Sequence, residues 1–308
     1  MAKTVHEDLQ DQIKHSRLIP WHEKGLTGKG VVIWNMENNR STHGKQTTQR
    51  VLHSAPDATV INASLSMAYN SSGIRYANAV MDDGTVYGVE DFIKKFNIKC
   101  LTRSVGGDTA NSKVASEFWT NLQEKYKLIM FNSAGNDGSD GRDGGNDYDP
   151  FIYVGALSLN KNGVWIEQYS SEHDRVDFAT FRGEWRGTSF SAPYLCGQSA
   201  LLVQKYGHQI DQGFVFDYFK DHAEDLNIIS YDEKTGWGLP IMGKVETEIV
   251  MQIGNHKITV DGKPIILDQC PVYNERGDRT LVPLRAIAEA FGATVEWDAD
   301  TQTITIVR

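Results

Sequence analysis

Over roughly the first 240 residues, short apolar, β-branched runs alternate with longer stretches of helical period. Val31 to Met36 reads as a buried strand and His43 to His53 as a helix. Ala58 to Ala63 is the next strand, followed by a helix from Val89 to Phe96, a strand from Lys99 to Arg103 and a helix from Asn111 to Tyr126. Leu128 to Asn132, Phe151 to Ala156 and Val176 to Ala179 read as three further strands. An apolar helix from Ser191 to Tyr206 ends at Gly207, and a more polar one lies near Asp211 to His222. Apolar strands joined through helices belong to a parallel sheet covered on both faces, so an α/β fold is expected.

The pattern changes at Gly236-Trp237-Gly238-Leu239-Pro240, and a new one begins near Ile249. Short strands there precede one helix, Pro283 to Phe291, closed by Gly292. Ala293 to Trp297 and Thr301 to Val307 alternate as half-buried antiparallel strands do, on either side of Asp298-Ala299-Asp300. The sequence therefore predicts two domains: an α/β body over residues 1–248 and a small α+β domain over 249–308.

Composition narrows the function classes. The chain has 308 residues, 40% hydrophobic and 23% charged, which suits one large core with a small domain attached. Its 31 basic and 40 acidic residues leave a net charge of −9. No basic stripe stands out, so neither a nucleic-acid backbone nor an anionic membrane surface is an expected partner. No apolar run is long enough to span a bilayer. Met1 to Lys14 is polar and mixed in charge, unlike a secretory signal, and a cytoplasmic location is expected, with export by another route as the alternative. Cys100, Cys196 and Cys270 are widely spaced and suit neither a disulfide framework nor a metal site.

Four short segments could carry chemistry. In Gly187-Thr188-Ser189-Phe190-Ser191-Ala192-Pro193 a small-residue turn enters the apolar helix. Ser189 there is either a helix cap or a nucleophile favoured by the free N–H groups of the helix start. His43, in Ser41-Thr42-His43-Gly44, opens a helix, and Glu37 six residues earlier ends the first strand. A carboxylate so placed can orient an imidazole and stabilise its protonated form; a surface histidine and a solvated acid are the bland alternative. Asn136, in Ala134-Gly135-Asn136-Asp137-Gly138, either makes an ordinary turn or offers its amide to a developing oxyanion. Ser104-Val105-Gly106-Gly107 follows another strand, where exposed backbone can pair with an extended peptide.

Taken together and in order, these motifs resemble the subtilisin-like serine peptidase family from about Trp21 to Pro240. Gly28-Lys29-Gly30-Val31 and Ala55-Pro56-Asp57-Ala58 add to the likeness. The resemblance implies a subtilisin-like fold and a serine endopeptidase, with Ser189 as nucleophile, His43 as base, Glu37 as orienting acid and Asn136 in the oxyanion hole. It further implies that Ser104, Val105 and Gly106 pair with a protein or peptide substrate, while Ser133, Ala134 and Gly135 wall the specificity pocket. No cofactor or metal is required. Three departures are visible: Glu replaces the family's Asp at position 37, only five residues separate it from His43, and Lys45-Gln46-Thr47 follows where the family prefers Thr-His. A catalytically inactive binding or structural module is the alternative. Leu18-Ile19-Pro20-Trp21 lies too near Gly28 to be a separate prosegment and reads as a helix of the body itself.

Five aspartates (137, 140, 143, 147 and 149) crowd the loop after Asn136. Hard cations take such oxygen ligands, so structural calcium is conceivable, but no calcium-loop motif is matched and a solvated turn competes. Residues 249–308 resemble the copper amine oxidase N-terminal-like, or stalk, domain through Val260-Asp261-Gly262-Lys263-Pro264, Arg279-Thr280-Leu281-Val282-Pro283-Leu284-Arg285 and Val295-Glu296-Trp297-Asp298. The resemblance implies an accessory module, either a spacer or a binding domain for a surface or assembly partner. His256 is its only histidine, so no copper site is expected.

Overall fold

The computed structural model describes residues 5–104, 113–140, 150–261 and 263–307. The chain divides into two compact units, Met1–Gly243 and Lys244–Arg308, where the sequence put a boundary near residue 248. The first unit begins with α1 (Val5–His15), α2 (Leu18–Glu23), β1 (Val32–Asn35), α3 (Thr42–Ser54), β2 (Thr59–Asn70), β3 (Gly73–Met81), β4 (Val86–Gly88), α4 (Val89–Phe96) and β5 (Ile98–Arg103). It continues through α5 (Lys113–Tyr126), β6 (Ile129–Ser133), β7 (Ile152–Asn160), β8 (Gly163–Ile166), β9 (Phe178–Phe181), α6 (Ser191–Tyr206), α7 (Gln212–Asp221), β10 (Ala223–Glu224) and β11 (Leu239–Pro240).

The central sheet has the order β4-β3-β2-β1-β5-β6-β7-β8, with β9 also paired to β7. Pairs among β2, β1, β5, β6, β7 and β9 are parallel, as the apolar runs predicted. β3, β4 and β8 are antiparallel additions that the sequence reading did not contain. The strand expected to stop at Ala63 runs on to Asn70 and folds back as β3, with Asn70 Oδ1 accepting from Ser72 N–H in the turn. Ser, Ala and Asn fill that hairpin, and its residues are mostly half-buried, so neither apolar run nor composition announces it.

Side-chain alternation in β1 sends Trp34 to one face and Asn35 to the other. On the first face Trp34 packs against Phe92 of α4 and Trp119 of α5, at ring-centroid distances of 4.9 and 6.3 Å. Ile98, Leu101, Met130, Phe151 and Tyr153 complete that core. On the second face Asn35 Nδ2 donates to Thr47 and Thr48 of α3, which seats this helix on the sheet. α6 lies on that side, buried along most of its length, as its all-round apolar sequence requires. Its Gly197 lets α3 come close: a Cβ there would lie 2.0 Å from Ser54 Oγ and 2.6 Å from Val51 O. In α2, Leu18 and Trp21 are fully buried, and Trp21 Nε1 donates to Gly243 O at 2.8 Å. Among the described residues no helix is long and apolar enough to cross a membrane.

Asp177, just before β9, is a carboxylate held in the body of the fold. Its Oδ2 accepts the Tyr153 N–H at 2.8 Å, and burial nevertheless pushes its pKa up from 3.8 to about 6. Between about pH 4 and 6 the folded chain therefore keeps a proton that the unfolded chain has lost. Stability falls as pH rises through that window, and the cost is fully present at pH 7. Asp177→Asn keeps an acceptor for Tyr153 and removes the charge. It is expected to raise the thermal midpoint by several degrees at pH 7, for a gain of about 1–3 kcal/mol, and to leave it unchanged at pH 4. Melting curves of both proteins at the two pH values check this; an equal shift at both would mean that charge is not the cause.

The second unit holds β12 (Ile249–Val250), β13 (Lys257–Val260) and β14 (Lys263–Ile266) in one antiparallel sheet. Two hairpins follow, β15 (Val272–Asn274) with β16 (Arg279–Leu281) and β17 (Thr294–Asp298) with β18 (Thr303–Val307), on either side of α8 (Leu284–Ala290). Ile258, Leu267, Pro271 and Val295 are its buried apolar residues among those described.

Candidate functional site

β1 is the strand from which the parallel order departs in both directions, β2 on one side and β5 on the other. At such a switch point the loops leaving the carboxyl ends diverge and open a crevice. Glu37 follows β1, Ser104 follows β5, and Ser133 to Asn136 close β6 and the loop after it. Glu37, Ser104 and Ser133 to Asn136 thus lie at the carboxyl ends of neighbouring strands.

The short link between Glu37 and His43 is built from local hydrogen bonds. Asn38 Oδ1 accepts from Arg40 N–H, and Asn38 O accepts from both the backbone and the hydroxyl of Ser41. Ser41 then caps α3, its Oγ accepting the Gly44 N–H at 2.8 Å. Gly44 is needed because a Cβ would sit 2.1 Å from Asn38 O. His43, in the first turn of α3, comes back over Glu37, with Nδ1 3.3 Å from Oε2. The longer acid reaches its histidine across a link only five residues long. Its hydrogen bond and its charge raise the imidazole pKa above the usual 6.5, against the lowering effect of partial burial. A carboxylate at Nδ1 fixes the tautomer whose Nε2 is the basic nitrogen.

Ser189 sits half-buried in a 3₁₀ turn, Thr188–Phe190, ahead of α6. No side chain caps either the turn or α6, so the capping reading of Ser189 is not what the fold uses. Ser191 is excluded as a substitute nucleophile, being fully buried with Oγ donating to Thr180 O at 2.9 Å. Ser104 Oγ donates to the Ser189 carbonyl at 3.0 Å, joining the end of β5 to this turn. The His43 and Phe190 rings lie 5.3 Å apart. Among the described residues, no hydrogen bond joins Ser189 to the imidazole.

Asn136 is exposed and anchored from one side. Its Oδ1 accepts the Thr188 N–H at 2.9 Å and the Thr188 hydroxyl at 3.3 Å. A backbone N–H can only donate, so the amide orientation is fixed and Nδ2 is the group left to donate. Ser133 and Ala134 are buried, and Gly135 donates to Thr188 Oγ1 at 3.2 Å. Val105 and Gly106 lie outside the described residues, as do residues 141–149 of the aspartate-rich loop.

Two contributors escaped the sequence reading. Thr188 belongs to a quoted motif, yet its task of holding Asn136 is visible only across a separation of 52 residues. Tyr169, whose hydroxyl accepts the Gly187 N–H at 2.9 Å, lies in a stretch for which the sequence predicts no element or motif.

Comparison with known proteins agrees with this architecture. Fervidolysin from Fervidobacterium pennivorans, a keratinolytic enzyme related to subtilisin, superposes with a TM-score of 0.55 at 16% identity, over 72% of this chain and 43% of that one. A lanthipeptide protease gives 0.52 at 16% identity, over 76% and 91% of the two chains. A cold-adapted subtilisin-like serine proteinase gives 0.51 at 14% identity, over 71% and 91%. The body of the chain therefore has the subtilisin-like fold. A family model, the copper amine oxidase N-terminal domain, matches residues 229–306. Over 58 residues the chain is 41% identical to the autotransporter lipoprotein NalP of Neisseria meningitidis serogroup B, a match spanning 19% of this chain and 5% of NalP. His256 Nδ1 lies 3.1 Å from Leu267 O, and among the described residues no three His, Cys, Asp or Glu side chains converge as ligands.

Proposed function

We propose that the chain is a serine endopeptidase that hydrolyses peptide bonds through an acyl-enzyme on Ser189. The observation that carries this reading is the Glu37–His43 pair at the strand switch point, on the same edge as a serine that no cap employs. His43 Nε2 takes the Ser189 proton as Oγ attacks the peptide carbonyl carbon, and Glu37 stabilises the imidazolium that forms. Asn136 Nδ2 and the Ser189 N–H receive the oxyanion. The imidazolium then gives its proton to the leaving amine, and water repeats the sequence on the ester. No cofactor takes part. An extended peptide pairs along the chain from Ser104 through Val105 and Gly106, with Ser133, Ala134 and Gly135 walling the pocket for the residue before the scissile bond. The C-terminal unit serves as an accessory spacer or binding module.

The missing Ser189–His43 hydrogen bond favours the inactive-module alternative, but such contacts commonly tighten only when substrate binds. Asn136→Ala separates the two. In an active enzyme its amide acts on the transition state, so kcat should fall about 10²–10³-fold with KM nearly unchanged. Steady-state hydrolysis of a short peptide measures both constants. A change confined to KM would make Asn136 a binding residue only, and no hydrolysis by the parent chain would favour the inactive module.

A further inference from the structure

Arg50, seven residues after His43 on α3, is fully buried. No carboxylate lies within ion-pair distance of it among the described residues. Its hydrogen bonds go to neutral groups, and the Glu184 carboxylate acts on it only from beyond contact: Nη2 donates to Phe181 O at 2.6 Å and to Gln12 Oε1 at 3.4 Å, and Nε donates to Phe190 O at 3.2 Å. Nη1 lies 3.2 Å from His53 Nδ1, and the guanidinium stacks 4.3 Å over the Tyr194 ring. Burial lowers its pKa to about 10, which leaves it charged at neutral pH. A buried cation of this kind is costly, and an apolar side chain of similar volume would fill the space more cheaply.

What an apolar side chain cannot do is grip the turn that carries Ser189. Two successive carbonyls of that turn are held from different elements: Ser189 O by the Ser104 hydroxyl and Phe190 O by Arg50 Nε. The Phe190 ring in turn packs on His43. Arg50 thus spans the helix that carries the imidazole, the end of β9 and the residue next to the serine, through donors in a rigid planar fork. Resting on the peptidase reading above, we propose that Arg50 is a positioning residue that sets Ser189 against His43. It touches no substrate and acts through the Phe190 carbonyl and ring.

The test uses the full chain with Arg50→Lys and Arg50→Met. Lysine keeps the charge without the fork, and methionine keeps volume without charge. Both are expected to lower kcat on a short peptide, and the rate of phosphonate labelling of Ser189, by about 10- to 100-fold, the scale of a misplacement near 1 Å. KM should stay within about threefold of the parent in both. A merely structural arginine would lower the melting temperature and leave kcat per folded molecule as it was; parental kcat in either folded variant overturns the proposal. Should neither variant fold, Gly183→Ala decides. A Cβ there would lie 2.9 Å from Arg50 Cζ and Nη1 and so press on the guanidinium without removing it; because Gly183 has φ +76° the change also strains the backbone, so kcat is read per folded molecule beside a melting curve. The same loss confined to kcat supports the proposal, and parental kcat overturns it. A parent chain that neither cuts peptide nor takes the phosphonate defeats the peptidase reading itself, whereas a parent that labels normally isolates any failure to Arg50.

Discussion

Ser189→Ala is expected to abolish hydrolysis of an unfolded protein while the melting temperature stays close to that of the parent. Loss of the nucleophile alone costs about 10⁶-fold in kcat where serine, histidine and acid act as one unit. The fold should tolerate the change because the Ser189 hydroxyl caps neither its own turn nor α6. The contact made from Ser104 goes to the Ser189 backbone carbonyl, which alanine retains. Parallel activity and melting measurements separate lost chemistry from lost structure. Residual activity near the parental level would assign the nucleophile elsewhere. Ser191 is a poor substitute, since its hydroxyl is fully buried and engaged with Thr180 O.

The second large effect concerns Glu37→Gln. The amide keeps nearly the same shape, removes the charge that steadies the imidazolium and weakens control of the tautomer. A loss of about 10⁴-fold in kcat is expected by the triad precedent. The pH profile should move as well. In the parent the Glu37 hydrogen bond and charge raise the His43 pKa. The basic, active form of the imidazole is therefore lost as pH falls through a value above the usual one. Without the carboxylate only the lowering effect of burial remains, so the acidic limb of kcat/KM shifts to lower pH. The pair also has a linkage to folding. Its stabilisation is fully present below the unfolded histidine pKa and is lost as pH rises through the raised folded value. With the imidazole 40% exposed that contribution is small. A Glu37→Gln variant with parental rate and an unmoved limb would show that a different acid serves His43.

The parallel strands and their helices were legible because β1, β6 and the start of β7 are buried on both faces and read as apolar runs, while β5, equally buried, keeps Ile98, Cys100 and Leu101 between Lys99 and Arg103. The β2–β3 hairpin was not, because its exposed and half-buried positions carry Ser, Ala, Asn and Arg rather than a clean alternation. A turn written Asn70-Ser71-Ser72-Gly73, with Leu65, Met67 and Tyr69 before it and Ile74 and Tyr76 after it, was the available clue. For the site, residue types at strand ends and helix starts made Glu37, His43, Asn136 and Ser189 candidates one by one, and it was the family resemblance that joined them into one set. Whether a glutamate six residues earlier can reach His43 could not be read from spacing. It depends on the geometry of the Asn38–Ser41 turn and on the missing side chain of Gly44, local details that residue spacing alone does not carry. Arg50 was hidden for a different reason: an arginine in the middle of a helix reads as solvent-facing until α6 and the Phe190 carbonyl are placed over it.

The central claim is that Ser189 is an activated nucleophile rather than a hydroxyl on a folding turn. A fluorophosphonate tests it directly, because it forms a stable adduct only with a serine whose proton a base removes. Treated full-length chain is digested and the adduct located by mass spectrometry, with heat-unfolded chain as the control. One adduct, on Ser189, is expected in the folded protein and none in the unfolded one. Absence of any adduct from the folded protein, or an adduct at another serine, would contradict it.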